Sequence, residues 1–216
     1  MSGSPIDPWT SAPLVAIDLE GTGAQDRDDE AILEIALVPI VAGLPRIPAG
    51  LSTLVNPDRP IGRRPWISPG LTDAALRTAP ALNDIEQALA DQVDGHYLVG
   101  HNVTVDWRLL HRRLPALRPA GLIDTMRLSR AVAHGHPHGL GALVDGLHLT
   151  DAVNAAAPGS QPHRALWDTV AAALLLRALI GKRWRRAPSL GELLTDAAAP
   201  MAVHAAEVAA PQPALF

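Results

Sequence analysis

Four carboxylates and one histidine stand where chemistry would want them. Asp18 and Glu20 lie two residues apart in "VAIDLEGTG", at the end of an apolar run. In a strand, residues i and i+2 share a face, so both carboxylates project the same way, roughly 7 Å apart along the backbone. Two anions so placed repel each other and lose hydration, a cost that a cation relieves. Asp106 sits in "VGHNVTVDWRLL", where a strand gives way to a helix, and Asp168 in "HRALWDTVAAALLL", near the start of a long helix. The chain has no cysteine, so hard oxygen donors of this kind suit Mg2+ or Mn2+. Two such ions about 4 Å apart can activate a water and stabilise the leaving oxygen of a phosphodiester. His163 precedes Asp168 by five residues, about 500° of helical rotation, so the two do not share a helix face. With Pro162 before it, His163 is expected in the loop or first helical position, free to swing over the site. Ala171 and Ala172, one turn beyond Asp168, are expected to leave room for it.

The elements that must carry these residues can be read from periodicity. Residues 13–19, 31–40 and 50–57 read as strands joined by short connections, which predicts an antiparallel meander. Two helical segments separated by Ala79-Pro80 follow, then a strand over 96–102 and a helix over 104–116. On that helix Val103, Trp107, Leu110 and Leu114 form a core-facing stripe, which turns Trp107 away from Asp106. "LIDTMRLSRAVA" reads as a short strand or turn and a helix, with Asp124 or Thr125 as N-cap. "GLGALVDGLHL" reads as a helix, 155–162 as a loop, 164–181 as a long helix and 189–197 as a short one. Glu34 reads as a partly exposed strand residue or a structural partner rather than a ligand, and the tract "HGHPH" (134–138) as a solvent loop. This order predicts a mixed α/β sheet covered by helices.

Composition narrows the classes. At 216 residues, with 48% hydrophobic and 19% charged residues, the chain suits a folded domain. The longest apolar run, Val170 to Leu176, is too short to span a bilayer. The N-terminus lacks the order of a signal peptide, so a cytoplasmic protein is expected. A net charge of −4 argues against a globally cationic nucleic-acid binder. Lys182 is the only lysine; the arginines cluster in "RLLHRR" (108–113) and in "KRWRR" (182–186). Each cluster reads equally as a phosphate track or as a solvated helix face and domain edge.

Asp-x-Glu-x-Thr-Gly, His-Asn-x-x-x-Asp and His-x-x-x-x-Asp, in this order over residues 12–182, resemble the DEDDh group of 3′–5′ exonucleases, the DnaQ-like family. That family includes the proofreading subunit of bacterial DNA polymerase III. The resemblance implies a ribonuclease-H-like α/β fold, a mixed five-stranded sheet flanked by helices. It implies that Asp18 bridges two metal ions, Glu20 and Asp168 hold the one that activates water, and Asp106 supports the second. His163 would be the general base. Thr22 and the backbone around Gly21 and Gly23 would contact the terminal nucleotide, and His101 and Asn102 would line the same pocket. Val105 stands where the family usually has an aromatic residue. The implied reaction is hydrolysis of 3′-terminal phosphodiesters of single-stranded or frayed DNA to nucleoside 5′-monophosphates. RNA trimming and a non-catalytic replication adaptor are the alternatives. A polymerase subunit is an implied partner.

The expected organisation is a loose leader over 1–12, the exonuclease domain over 13–182, a helical extension over 183–198 and a flexible tail over 199–216. The tail ends in Gln212-Pro213-Ala214-Leu215-Phe216. It resembles the short peptides by which bacterial replication proteins dock on the sliding clamp, with Gln212, Leu215 and Phe216 as contacts.

Overall fold

The computed structural model describes residues 7–62, 64–132 and 137–201. Its centre is a mixed sheet in which β1 (Leu14–Gly21) pairs antiparallel with β2 (Ile32–Val41), in register from Leu14 opposite Ile40 to Glu20 opposite Glu34. Beyond Glu20 the register slips, a bulge that ends regular pairing. The two-residue β3 (Leu44–Pro45) and β4 (Leu51–Leu54) both pair antiparallel with β2. On the other side β1 runs parallel to β5 (Tyr97–Gly100), and β5 parallel to β6 (Gly121–Asp124). The five expected strands are therefore present as a meander plus two parallel strands. The sheet gains two short ones, β3 and β7 (Ala198–Ala199), the latter antiparallel to β6.

Helices α1 (Asp73–Leu76) and α2 (Glu86–Val93) precede β5, and α3 (Thr104–Arg113) connects β5 to β6. The helices α4 (Thr125–Val132), α5 (Leu140–Gly146), α6 (Thr150–Ala156), α7 (Ala165–Arg183) and α8 (Leu190–Ala197) follow. Both sheet faces are covered. Val15, Ile17, Ile35, Leu37 and Leu98 pack against α2 and α3 through Leu89, Val93, Val103, Trp107 and Leu110. The stripe expected on α3 is buried throughout, and Trp107 stacks on His111 inside this core. On the opposite face Leu14, Ala16, Ile40, Val99 and Ile123 lie under α4, α7 and α8. Helix α7 is apolar almost all round because it is enclosed, with the sheet below and α4, α5 and α6 packed on its other sides. Its alanines allow that close approach: Ala171 and Ala172 are fully packed, with Ala171 in the cluster shared with α5 and α6. They tighten the core rather than open space at the site.

Three further expectations change. Trp9, in the segment expected to be a loose leader, is buried, and its backbone N–H donates to the carbonyl of Pro188 at 3.0 Å. Ala199, expected to begin the tail, is paired with Leu122. Residues 150–156 form α6, where the polar and small residues gave no apolar period to read. Residues 202–216, with Gln212, Leu215 and Phe216, lie outside the described residues, as do 134–136 of the histidine tract. Among the described residues no helix is long and apolar enough to cross a membrane.

Candidate active site

The site forms where cover over the sheet runs out. Ala16 is fully buried beneath α7, but Asp18 and Glu20, farther along the same face of β1, reach the level at which α7 begins. Asp168 projects from the first turn of that helix, where a carboxylate is favoured by the helix dipole. One carboxylate oxygen from each of Asp18, Glu20 and Asp168 lies within 4.8 Å of the others, and all three residues are half-buried. Asp106 comes from the first turn of α3 and is buried. The pairing of β1 with β5 stops at Ala16, which leaves the N–H of Leu19 without a strand partner on that side. Asp106 Oδ1 accepts it at 3.0 Å, from the residue between Asp18 and Glu20. The sheet's own splaying thus seats the fourth carboxylate.

The electrostatics are those of an anion cluster short of counter-charge. Burial, then Asp106, Asp168, Glu20 and Glu34, push the Asp18 carboxyl well above its usual range. Burial raises Asp106 to about 8, against the pull of the Leu19 N–H. Glu20 rises to about 7, again mainly by burial, although the Ser68 hydroxyl donates to its Oε2 at 2.8 Å. Asp168 rises to about 6 by burial, opposed by a hydrogen bond from the His163 backbone and by the His163 charge. These oxygens fit a hard divalent cation: three converge, and only added positive charge lets all ionise together at neutral pH.

His163 is exposed, outside the helix, in a turn whose backbone takes φ 64°. That left-handed conformation is costly for a side chain with a Cβ and persists because neighbours impose it. The imposing contact is next door. Arg164 Nε and Nη2 both donate to Glu34 at 2.8 Å, and Glu34 Oε2 also accepts the Ala165 N–H at 3.3 Å. Glu34 stands opposite Glu20 in the sheet, so β2 holds the turn that carries His163. Of its two expected parts the geometry shows the structural partner; Glu34 is buried rather than a partly exposed strand residue.

Other expected site residues are placed differently. The Thr22 side chain is fully buried, and its hydroxyl accepts from the Ala31 N–H at 3.0 Å. Thr22 therefore secures the β1–β2 connection, and with its N–H donating to the Ala31 carbonyl and its own carbonyl accepting from Arg64 and Trp66 it has no group left for a ligand, contrary to expectation. His101 is also engaged, through Nδ1 with Thr125 Oγ1 at 2.9 Å and through Nε2 with the His138 carbonyl at 2.8 Å. Asn102, at φ 63°, is exposed, and its N–H donates to Asp124 Oδ1. Asp124 accepts from the Met126 N–H as well, which makes it the cap of α4. At Gly21 a Cβ would come within 3.0 Å of Leu109 and 3.1 Å of the Ala31 carbonyl, so this position admits no side chain without displacement.

Sequence reasoning missed two features. "RLLHRR" forms no phosphate track: Arg108 and Arg112 pair with the buried Glu30, and Arg113 donates to the carbonyls of Asp28 and Glu30. It clamps the β1–β2 connection. Arg183 and Arg186 of the second cluster pair with Asp196 and Glu192. The other missed residue is Trp66, 52% exposed, whose indole N–H donates to the Thr22 carbonyl at 3.0 Å. A tryptophan beside glycine, proline and arginine was its only signal.

Comparison with known proteins bears on this arrangement. The Exonuclease (RNase_T) family model matches residues 15–176. The chain is 32% identical over 201 residues to a DNA polymerase III subunit epsilon-like protein of Rhodobacter capsulatus, covering 91% of this chain and 27% of that one. It is 32% identical to Exodeoxyribonuclease 10 of Escherichia coli K12, covering 79% of this chain and 70% of that one. The chain thus spans about a quarter of the first relative and most of the second. Exonuclease X, solved in complex with 5′ overhanging duplex DNA, superposes with a TM-score of 0.61 at 29% identity, covering 83% of this chain and 98% of that one. The nuclease domain of 3′hExo, a DEDDh member bound to rAMP, shares the fold with a TM-score of 0.57 at 14% identity, covering 82% of this chain and 96% of that one. With motif order, fold and acidic cluster in agreement, the chain belongs to the DnaQ-like, DEDDh exonuclease family.

Proposed function

We propose that the chain hydrolyses 3′-terminal phosphodiesters of DNA, at single-stranded or frayed ends, and releases nucleoside 5′-monophosphates. The observation that carries this reading is the convergence of Asp18, Glu20 and Asp168 at an open strand end, with Asp106 beside them and His163 on the adjoining turn. Asp18, Glu20 and Asp168 would hold Mg2+ or Mn2+, and Asp106 would support a second ion. Bound there, the ions would draw charge from the scissile phosphate and make the attacking water more acidic. His163 takes that water's proton at its imidazole as the oxygen attacks phosphorus; the P–O3′ bond breaks, and the departing 3′-oxygen takes a proton from solvent. The His163 backbone holds Asp168 while the Arg164–Glu34 pair fixes the turn. The backbone at Gly21 and Gly23, which are partly open, would lie against the terminal nucleotide, with Asn102 at the rim.

DNA is preferred to RNA because the E. coli relative is named an exodeoxyribonuclease and Exonuclease X was solved with DNA, whereas the rAMP-bound neighbour shares only the fold. The polymerase III names among the relatives favour a cytoplasmic role in replication or repair beside a polymerase subunit. Gln212, Leu215 and Phe216 would dock on the sliding clamp. The test is a time course on labelled DNA and RNA oligonucleotides with Mg2+ or Mn2+. DNA should shorten from its 3′ end with either ion and stay intact with EDTA or in Asp18→Ala. Activity surviving Asp18→Ala overturns the assignment, and faster loss of RNA moves it to RNA trimming. Deleting Leu215 and Phe216 should abolish clamp binding but spare short oligonucleotide cleavage; equal binding of both forms refutes the docking role.

A further inference from the structure

A serine in a turn ordinarily folds its hydroxyl back onto nearby backbone. Ser68 does not. It is only 6% exposed, and its hydroxyl crosses to β1 and donates to Glu20 Oε2 at 2.8 Å. Among the described residues this is the only hydrogen bond that the Glu20 carboxylate receives. Arg164, whose charge reaches Glu20, is bound to Glu34 instead. The segment that carries Ser68 is fixed in place. The Ser68 carbonyl accepts the Leu71 N–H at 3.2 Å and closes the turn, and Leu71 is buried with Ile61, Leu76 and Leu33 of β2. Asp73 Oδ1 accepts the Ile61 N–H at 2.8 Å. The turn also abuts the residue after His163, since a Cβ on Gly70 would stand 3.6 Å from Arg164 Nη1.

We infer that Ser68 is a positioning residue for the metal centre: its hydroxyl holds Glu20 so that Oε1 faces the cation shared with Asp18 and Asp168. This rests on the metal-dependent reading of the site and names what aims one of its ligands. Glu20 is the longest of the three converging carboxylates, with the most rotamer freedom to lose when a cation binds. A hydroxyl from a packed turn removes part of that freedom beforehand. Being neutral, it orients the carboxylate without cancelling its charge, whereas an arginine in the same place would compete with the metal. Partners of this kind, one step behind a ligand, tune metal affinity by fixing ligand direction.

The test isolates the hydroxyl. Calorimetric titrations with Mn2+, without nucleic acid, compare wild type with Ser68→Ala, Ser68→Thr and Ser68→Val. Ser68→Ala should weaken Mn2+ binding by about 10- to 100-fold, the usual cost of losing a partner behind a metal ligand. Thr and Val have nearly the same volume, so the difference between those two variants reports the hydroxyl whatever the added methyl groups do to packing. Ser68→Thr should bind Mn2+ more tightly than Ser68→Val, which should be as weak as Ser68→Ala. In cleavage assays the Mn2+ concentration for half-maximal rate should rise by the same factor in Ser68→Ala, with KM for DNA at saturating Mn2+ near wild type. Wild-type Mn2+ affinity in Ser68→Ala overturns the inference, as does a Thr variant no better than Val. A raised KM for DNA with Mn2+ affinity intact also refutes it, by moving Ser68 to the substrate. Titration needs no turnover, so hydroxyl-dependent Mn2+ affinity in a protein that cleaves no strand upholds the role of Ser68 while defeating the exonuclease reading.

Discussion

The most direct consequence of the acidic cluster is that the metal-free protein should weaken as pH rises, and that removing one carboxylate should make it stronger. Folding raises Glu20 from 4.5 to about 7, Asp168 to about 6 and Asp106 to about 8. Between pH 4 and 8 the folded protein retains protons that the unfolded chain has already released. Stability therefore falls with rising pH across that window, and the Glu20 and Asp168 shares of the penalty are complete by about pH 8. Each pKa unit is worth about 1.4 kcal/mol. For Glu20 alone, with allowance for the solvent that reaches it, this leaves about 2 kcal/mol. In a domain of this size that is about 4–8 °C in Tm. The perturbation is Glu20→Gln, which removes that titration while keeping the side chain's length and an acceptor for the Ser68 hydroxyl. In EDTA, scanning calorimetry should show wild type losing about 4–8 °C relative to the variant between pH 5 and pH 8. Saturating Mn2+ should restore wild type and leave the variant little changed. The difference between the two proteins isolates the cluster from other titrating groups. Parallel melting curves in EDTA, or a variant less stable than wild type at pH 8, would refute the electrostatic reasoning.

Two other changes probe the parts around the cluster. His163→Ala should cut turnover by about a hundredfold or more with Mn2+ affinity by calorimetry nearly unchanged; an equal loss of Mn2+ affinity would contradict its part as the base. Gly23→Ala places a Cβ against Gln25 and Trp66 at φ 95°, so steady-state assays should show KM rising severalfold or more, with the overall fold retained by circular dichroism.

Residue pattern was enough to place the carboxylates, because each depends on local periodicity: Asp18 and Glu20 on a strand's two-residue alternation, Asp106 and Asp168 on helix starts. The meander of β1, β2 and β4 followed from short connections, and the α3 stripe from its spacing. What stayed hidden depends on partners remote in the chain. Nothing near Thr22 in sequence says that its hydroxyl turns inward to the Ala31 N–H rather than toward a ligand. His101 looks free until Thr125 and His138 are brought to it. The arginines of α3 look like a charged face until the β1–β2 connection folds over them and Glu30 is buried. Trp66 stood in a stretch without period, where a side chain's exposure is decided by what the backbone hydrogen-bonds.

Asp18 and Asp168 stand 150 positions apart, on the first long strand and the last long helix. The distance is also an interval of time. At synthesis rates of about 5–20 residues per second, roughly 8–30 s separate the two aspartates as the chain is made. During that interval Asp18 and Glu20 have no α7 beside them. A nascent chain that has not reached residue 165 holds neither His163 in its strained turn nor the third carboxylate, so it carries an incomplete nuclease. The activity would switch on only when α7 docks, late in folding.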